Sequence, residues 1–148
     1  MANTGTLLPM LALVLSLAWQ QLLQEYLLLN LLKMENDPHA KILRIFLGES
    51  DKYKQQPLYE TIVFEAKKQG LSGATASRGI MGFGANSKIH SAKLFDISID
   101  LPIVVEVIDT EDKINEFIKI VEQFFESSKS GGLITIEKVE VIRYKPGE

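Results

Sequence analysis

Residues 2–24 carry no formal charge and residues 7–32 are dominated by leucine, whereas the chain beyond Lys33 intersperses Lys, Arg, Asp and Glu with apolar residues at short spacing. That break fixes the organisation of the chain before any motif is weighed. A leucine-rich segment with so little polar surface cannot satisfy itself in water, so it reads as a helical appendage. The turn and breaker signal Asn36-Asp37-Pro38 then separates it from the remainder of the chain. The expected organisation is a helix over residues 1–36 and a single domain over residues 37–148. A chain of 148 residues with 46% hydrophobic content suits one globular domain plus such an appendage.

The appendage admits several fates. Ser16, Gln20, Gln21, Gln24 and Glu25 recur at helical spacing and predict one narrow wet stripe on an otherwise apolar surface. The run is long enough to span a bilayer, yet Gln20, Gln21, Gln24, Glu25 and Asn30 would then be buried in hydrocarbon. Residues 7–19 resemble the apolar region of a signal peptide, with Ser16 and Ala18 as small residues near a cut, but a basic n-region is missing. The expectation is a cytoplasmic protein whose residues 7–32 pack in a higher-order assembly, against a partner such as a membrane protein, or against lipid. Low-complexity leucine content also fits a natural or engineered self-assembling scaffold, in which that helix is the working part.

Charge and composition exclude several function classes. Sixteen Lys and Arg against nineteen Asp and Glu leave a net charge of −3 with the signs intermixed, which offers no basic stripe for nucleic acid. Cysteine is absent and His39 and His90 are far apart, so neither thiolate zinc sites nor a local histidine pair can form. Glu60, Glu65 and Glu106 are scattered carboxylates, and Ser77 and Ser91 lack the surroundings of a nucleophile elbow. The chain therefore reads as a non-enzyme, with no catalytic residues and no required cofactor.

The domain itself has the pattern of an α+β unit. Residues 41–47 read as a central strand, being too apolar for a strand wetted on both faces. Pro57 opens a helix running to Gln69, with Leu58, Ile62, Val63 and Ala66 on one face and Gly70 as its stop. Residues 73–77 read as a second strand and residues 101–108 as a third. Asp109 or Thr110 is placed to cap a helix whose Ile114, Phe117, Ile118, Val121 and Phe125 form a buried stripe. Residues 133–144 read as a last strand that changes phase at a bulge near Glu137-Lys138. The order β-α-β-β-α-β predicts a ferredoxin-like sandwich, two helices on one face of a four-stranded antiparallel sheet. The opposite face is apolar enough to predict burial by subunit association.

Between the second and third strands lies Arg78-Gly79-Ile80-Met81-Gly82-Phe83-Gly84, three glycines beside an arginine. Such density suits a backbone held at positive φ or one that brings its N–H groups close to an anion. It lacks the lysine of a P-loop and the spacing of a dinucleotide fingerprint. With Ile45-Phe46-Leu47-Gly48-Glu49 in the first strand and Asp100-Leu101-Pro102-Ile103-Val104 in the third, this loop resembles the PII-like signalling proteins, in the prokaryotic group that carries an Arg-Gly-Ile-Met-Gly-Phe-Gly loop. The resemblance covers residues 41–148 and leaves the N-terminal helix outside.

That resemblance implies a homotrimer with adenine nucleotides or related small ligands in clefts between subunits, and a loop that signals occupancy to a partner. It implies that Arg78, Gly79, Gly82 and Gly84 border the ligand cleft, that Gly131 and Gly132 form a glycine turn around phosphate, and that Arg143 and Lys145 supply charge to it. Lysine stands at the second basic position where the family pairs arginines, which keeps the charge and loses the bidentate fork. Residues 80–96 contain no tyrosine, so nucleotidylation of a loop tyrosine does not carry over. Lys88, His90 and Lys93 could meet phosphate or a partner carboxylate.

Overall fold

A computed structural model describes residues 7–34, 37–84, 89–91 and 100–145. The elements in order are α1 (Leu7–Met34), β1 (Ala40–Gly48), β2 (Lys52–Tyr53), β3 (Gln56–Pro57), α2 (Leu58–Lys68), β4 (Gly73–Arg78), β5 (Met81–Phe83), β6 (Ile89–Ser91), β7 (Pro102–Thr110), α3 (Glu111–Ser128) and β8 (Leu133–Lys138). The chain divides into two compact units, residues 37–140 and a second unit that joins residues before Asp37 to those after Glu140.

In the larger unit, β4, β7, β1 and β8 form one sheet in that order, with every neighbouring pair antiparallel. Alternation along β1 and β7 explains how the sheet is sided. Leu43, Ile45 and Leu47 pair across the ladder with Val107, Val105 and Ile103, and all six are buried in one core with Leu58, Ile62 and Ala66 of α2 and Ile114, Phe117 and Val121 of α3. Each of these larger side chains contributes about 1.5–3 kcal/mol by leaving water. This is the expected α+β architecture, two helices against one face of a four-stranded antiparallel sheet.

The face turned away from the helices is mixed. Ile42 pairs with Ile108 and Phe46 with Val104, and between these apolar pairs lies a charged row. Arg44 Nε donates to Glu106 at 2.7 Å and its Nη1 pairs with Glu137. These two carboxylates hold the Arg44 guanidinium above its ordinary pKa, Glu106 contributing most.

Several local details depart from the sequence reading. The final strand ends at Lys138 where a bulged continuation to Tyr144 was expected, so the change of phase marks the end of pairing. The N-cap of α3 is Thr110, and it makes no side-chain capping bond. Asp109 instead is buried, and its carboxylate accepts from the backbone N–H of Ser72 at 2.7 Å, the Ser72 hydroxyl at 3.0 Å and Lys113 Nζ at 3.4 Å. It therefore ties the end of β7 to the segment entering β4. At Asp37-Pro38-His39 the expected turn is present, closed by His39 N–H donating to the Asp37 carboxylate at 2.8 Å.

α1 is continuous over its 28 residues. Leu11, Leu13, Leu15, Leu17, Leu22 and Leu28 each expose more than half of their surface, as does Trp19. The narrow wet stripe is not found. At about 100° per residue, Ser16 to Glu25 spread their polar side chains over roughly half the circumference, with leucines among them. Among the described residues, no helix is long and apolar enough to cross a membrane.

Candidate functional site

The antiparallel register brings both glycine segments to one end of the sheet. β4 finishes there at Arg78, which pairs with Ile103, and β8 begins there at Leu133, which pairs with Phe46. Gly48 closes β1 opposite Pro102 at the same end. The two segments nevertheless lie on opposite edges, because β7 and β1 stand between β4 and β8. Three strand spacings make that separation about 14 Å.

At the β4 edge, Arg78 forms an ion pair with Glu49 through its Nη2. Gly79 N–H donates to the Pro102 carbonyl at 2.7 Å, and Glu49 N–H donates to the Leu101 carbonyl at 2.9 Å. The loop thus leaves the sheet from a root fixed to two consecutive residues. Its glycines answer a steric demand. A Cβ on Gly79 or Gly82 would sit 2.9 or 3.0 Å from the Pro102 ring, whereas one on Gly84 would meet nothing within 4 Å. Among the described glycines only Gly70, after α2, has a positive φ, so close approach replaces the left-handed backbone that glycine density suggested. Beyond Gly79, β5 pairs with β6 as a short hairpin that holds Ile80, Met81 and Phe83 out in water.

Behind Glu49 the chain is acidic and ordered. Gly48 N–H donates to the Asp51 carboxylate and Ser50 N–H to Asp100 Oδ1, both at 2.8 Å. Gly48 has no room for a side chain, because a Cβ would lie 2.9 Å from Asp100 Oδ2. Tyr59 donates to Glu60 at 3.2 Å, and its phenol is pushed above its usual pKa, first by removal from water and then by that carboxylate.

At the β8 edge, Gly131 stands in open space while Gly132 is pressed against α3 and β1. A Cβ on Gly132 would fall 2.6 Å from the Phe125 ring and 2.9 Å from the Phe46 carbonyl oxygen. A cleft of about 360 Å³ opens beside it, lined by Glu122, Phe125, Glu126, Ser130, Gly132 and Ile134. Two carboxylates and the carbonyl end of α3 make this cleft electronegative. Phosphate held here needs cations from elsewhere.

The structure therefore brings Arg78, Gly79 and Gly82 together with Gly84 close behind, and Gly131 with Gly132, but not the two groups with each other. Arg143 and Lys145 lie in the smaller unit and are exposed. Lys88 and Lys93 lie outside the described residues, and of His90 only the backbone, paired with Gly82, is described. Glu49, Asp100 and Pro102 carry the loop's root, yet sequence reasoning gave them no role. Their signal was present in the two segments that carried the family resemblance. No group of three or more metal-ligating side chains occurs among the described residues.

The DUF190 family, described as Uncharacterized ACR, COG1993, matches residues 40–141. The chain belongs to that family. A UPF0166 protein of Aquifex aeolicus is 43% identical over 102 residues, which cover 69% of this chain and 92% of that protein. A UPF0166 protein of Methanocaldococcus jannaschii is 36% identical over 104 residues, 70% of this chain and 93% of its own. Among solved structures, CPII from Thiomonas intermedia K12, a nitrogen regulatory PII-like protein bound to ADP, AMP and bicarbonate, aligns with a TM-score of 0.54 at 20% identity, over 70% of this chain and 89% of CPII. That likeness shows the fold that this DUF190 member shares with PII-like proteins. α1 precedes the matched region.

Proposed function

We propose that this DUF190 protein is a PII-like regulatory sensor that works as a homotrimer and takes an adenine nucleotide in clefts between subunits. The observation that carries the reading is the split site: an arginine with its glycine loop on one sheet edge, an open glycine turn on the other, both at the same end. One chain cannot close these segments on a single small ligand. A ring of chains, each presenting its β4 edge toward the β8 edge of the next, would do so and would bring Arg78 to an otherwise electronegative cleft. Phe46, Val104 and Ile108, half-buried on the face without helices, suit further burial in such an assembly. The ligands of CPII support the nucleotide class.

In this reading Arg78 and Arg143 hold phosphate, Lys145 adds charge, and the backbone N–H groups near Gly84 and Gly131 donate without steric obstruction. The protein is not an enzyme and needs no metal. α1 is a contact surface outside the sensor domain, for higher assembly or a membrane-protein partner. Calorimetric titration of ATP, ADP, AMP and cyclic AMP tests the reading. At least one should bind, and Arg143→Ala should weaken it by about 1.5–3 kcal/mol while Arg143→Lys loses less. No heat from any of the four at millimolar concentration contradicts it.

A further inference from the structure

We propose that Glu49 is a latch on the glycine-rich loop: its carboxylate occupies Arg78 in the empty protein, and a multiply charged anion opens the latch by taking Arg78 over. This rests on the reading of Arg78 as a ligand residue. The two partners are held face to face by the fold, because Arg78 ends β4, Glu49 follows β1, and each is anchored to the strand between them. Glu49 N–H is bonded to the Leu101 carbonyl, and Gly79, next to Arg78, to the Pro102 carbonyl. The ion pair therefore sits at the root of a hairpin whose apolar residues Ile80, Met81 and Phe83 stand exposed. Loss of the pair leaves the residue from which the hairpin departs held only by backbone bonds to β7.

The chemistry makes Glu49 a selector. Glu49 engages one of the five N–H donors that Arg78 offers, through Nη2. A phosphate can take two in parallel, so it competes on geometry as well as charge. A singly charged anion exchanges one negative partner for another, beside a turn in which the Gly48 and Ser50 amides hold the Asp51 and Asp100 carboxylates. An anion with two or more charges repays that exchange. Since Arg78 is more than half exposed, solvent screens the competition and the selection is several-fold, not many orders.

Two readouts test the latch in the full chain, with Glu49→Gln as the neutral, equal-sized variant and Glu49→Ala as its companion. Without ligand, amide hydrogen exchange across residues 79–83 should quicken at least threefold in both variants. The exchanged pair Glu49→Arg with Arg78→Glu should return it to the wild-type rate. Exchange unchanged by either variant overturns the latch. With ADP and the singly charged cyclic AMP as probes, Glu49→Gln should bind both tighter and should narrow the preference for ADP. If wild type binds ADP and Glu49→Gln binds it no tighter, the selector is overturned while the nucleotide site stands. If no form binds either probe, the nucleotide reading fails and the hydrogen-exchange result alone decides the latch.

Discussion

In the loop after β4, Gly79 and Gly82 press against the Pro102 ring while Gly84 stands clear; in the turn before β8, Gly132 presses against Phe125 and the Phe46 carbonyl while Gly131 stands clear. Both segments therefore contain glycines with two unrelated origins. The pressed ones are required by packing within the chain and would be required with no ligand at all. The clear ones have no such need, and in the proposed site they are where an anion can approach the backbone without meeting packed side chains. Glycine density near an arginine is thus a mixed signal, and only the surroundings of each Cα separate its parts.

Substitution by alanine can break this division. Gly132→Ala carries the largest expected effect, because its Cβ would meet backbone at 2.9 Å as well as the Phe125 ring. It should destabilise the domain by about 1–3 kcal/mol in denaturant unfolding, the range for overpacking. Gly79→Ala meets a ring carbon that can shift, so its cost should be near the lower bound, about 1 kcal/mol. Gly84→Ala and Gly131→Ala should change stability by no more than about 0.5 kcal/mol. If Gly131→Ala proves as costly as Gly132→Ala, the division is wrong.

A smaller effect provides a reference away from both segments. Glu65 on α2 has its pKa lowered from 4.5, first by the hydrogen bond from Gln69 and then by Lys68. A carboxylate with a depressed folded pKa adds stability that is present above the unfolded value and lost as pH falls through the folded one. Glu65→Gln should therefore flatten the decline in stability below about pH 4.5, and leave the ranking of the glycine variants at neutral pH unchanged. A ranking that moved with Glu65 would mean that the glycine costs are not local.

The sheet and its two covering helices were legible because burial writes itself as period: the alternation of residues 41–47, and Ile114, Phe117 and Val121 three and four apart. Shorter features left weaker traces. The β2–β3 hairpin turns through Lys54 and Gln55, both at positive φ, without the Asn-Gly or Asp-Gly pair that announces such a turn. Asp109 had the composition of a cap, and only the fold could place Ser72 against it. At the site, residue types were legible and partnerships were not. Arg78 reads as a residue facing a ligand, and the group it meets is Glu49, 29 positions earlier in the chain. Likewise the two glycine segments could be named from sequence, whereas their placement on opposite edges comes from the strand order β4-β7-β1-β8.

That placement leads directly to the central claim, that the ligand site is completed only between chains. Native mass spectrometry of the full-length protein with increasing ADP tests subunit number and ligand number together. The account predicts a particle of three chains, or a multiple of three if α1 adds assembly, that gains up to one ADP per chain, with the gain lost in Arg78→Ala. A monomer that binds ADP, or a trimer that takes up none at millimolar concentration, would contradict it.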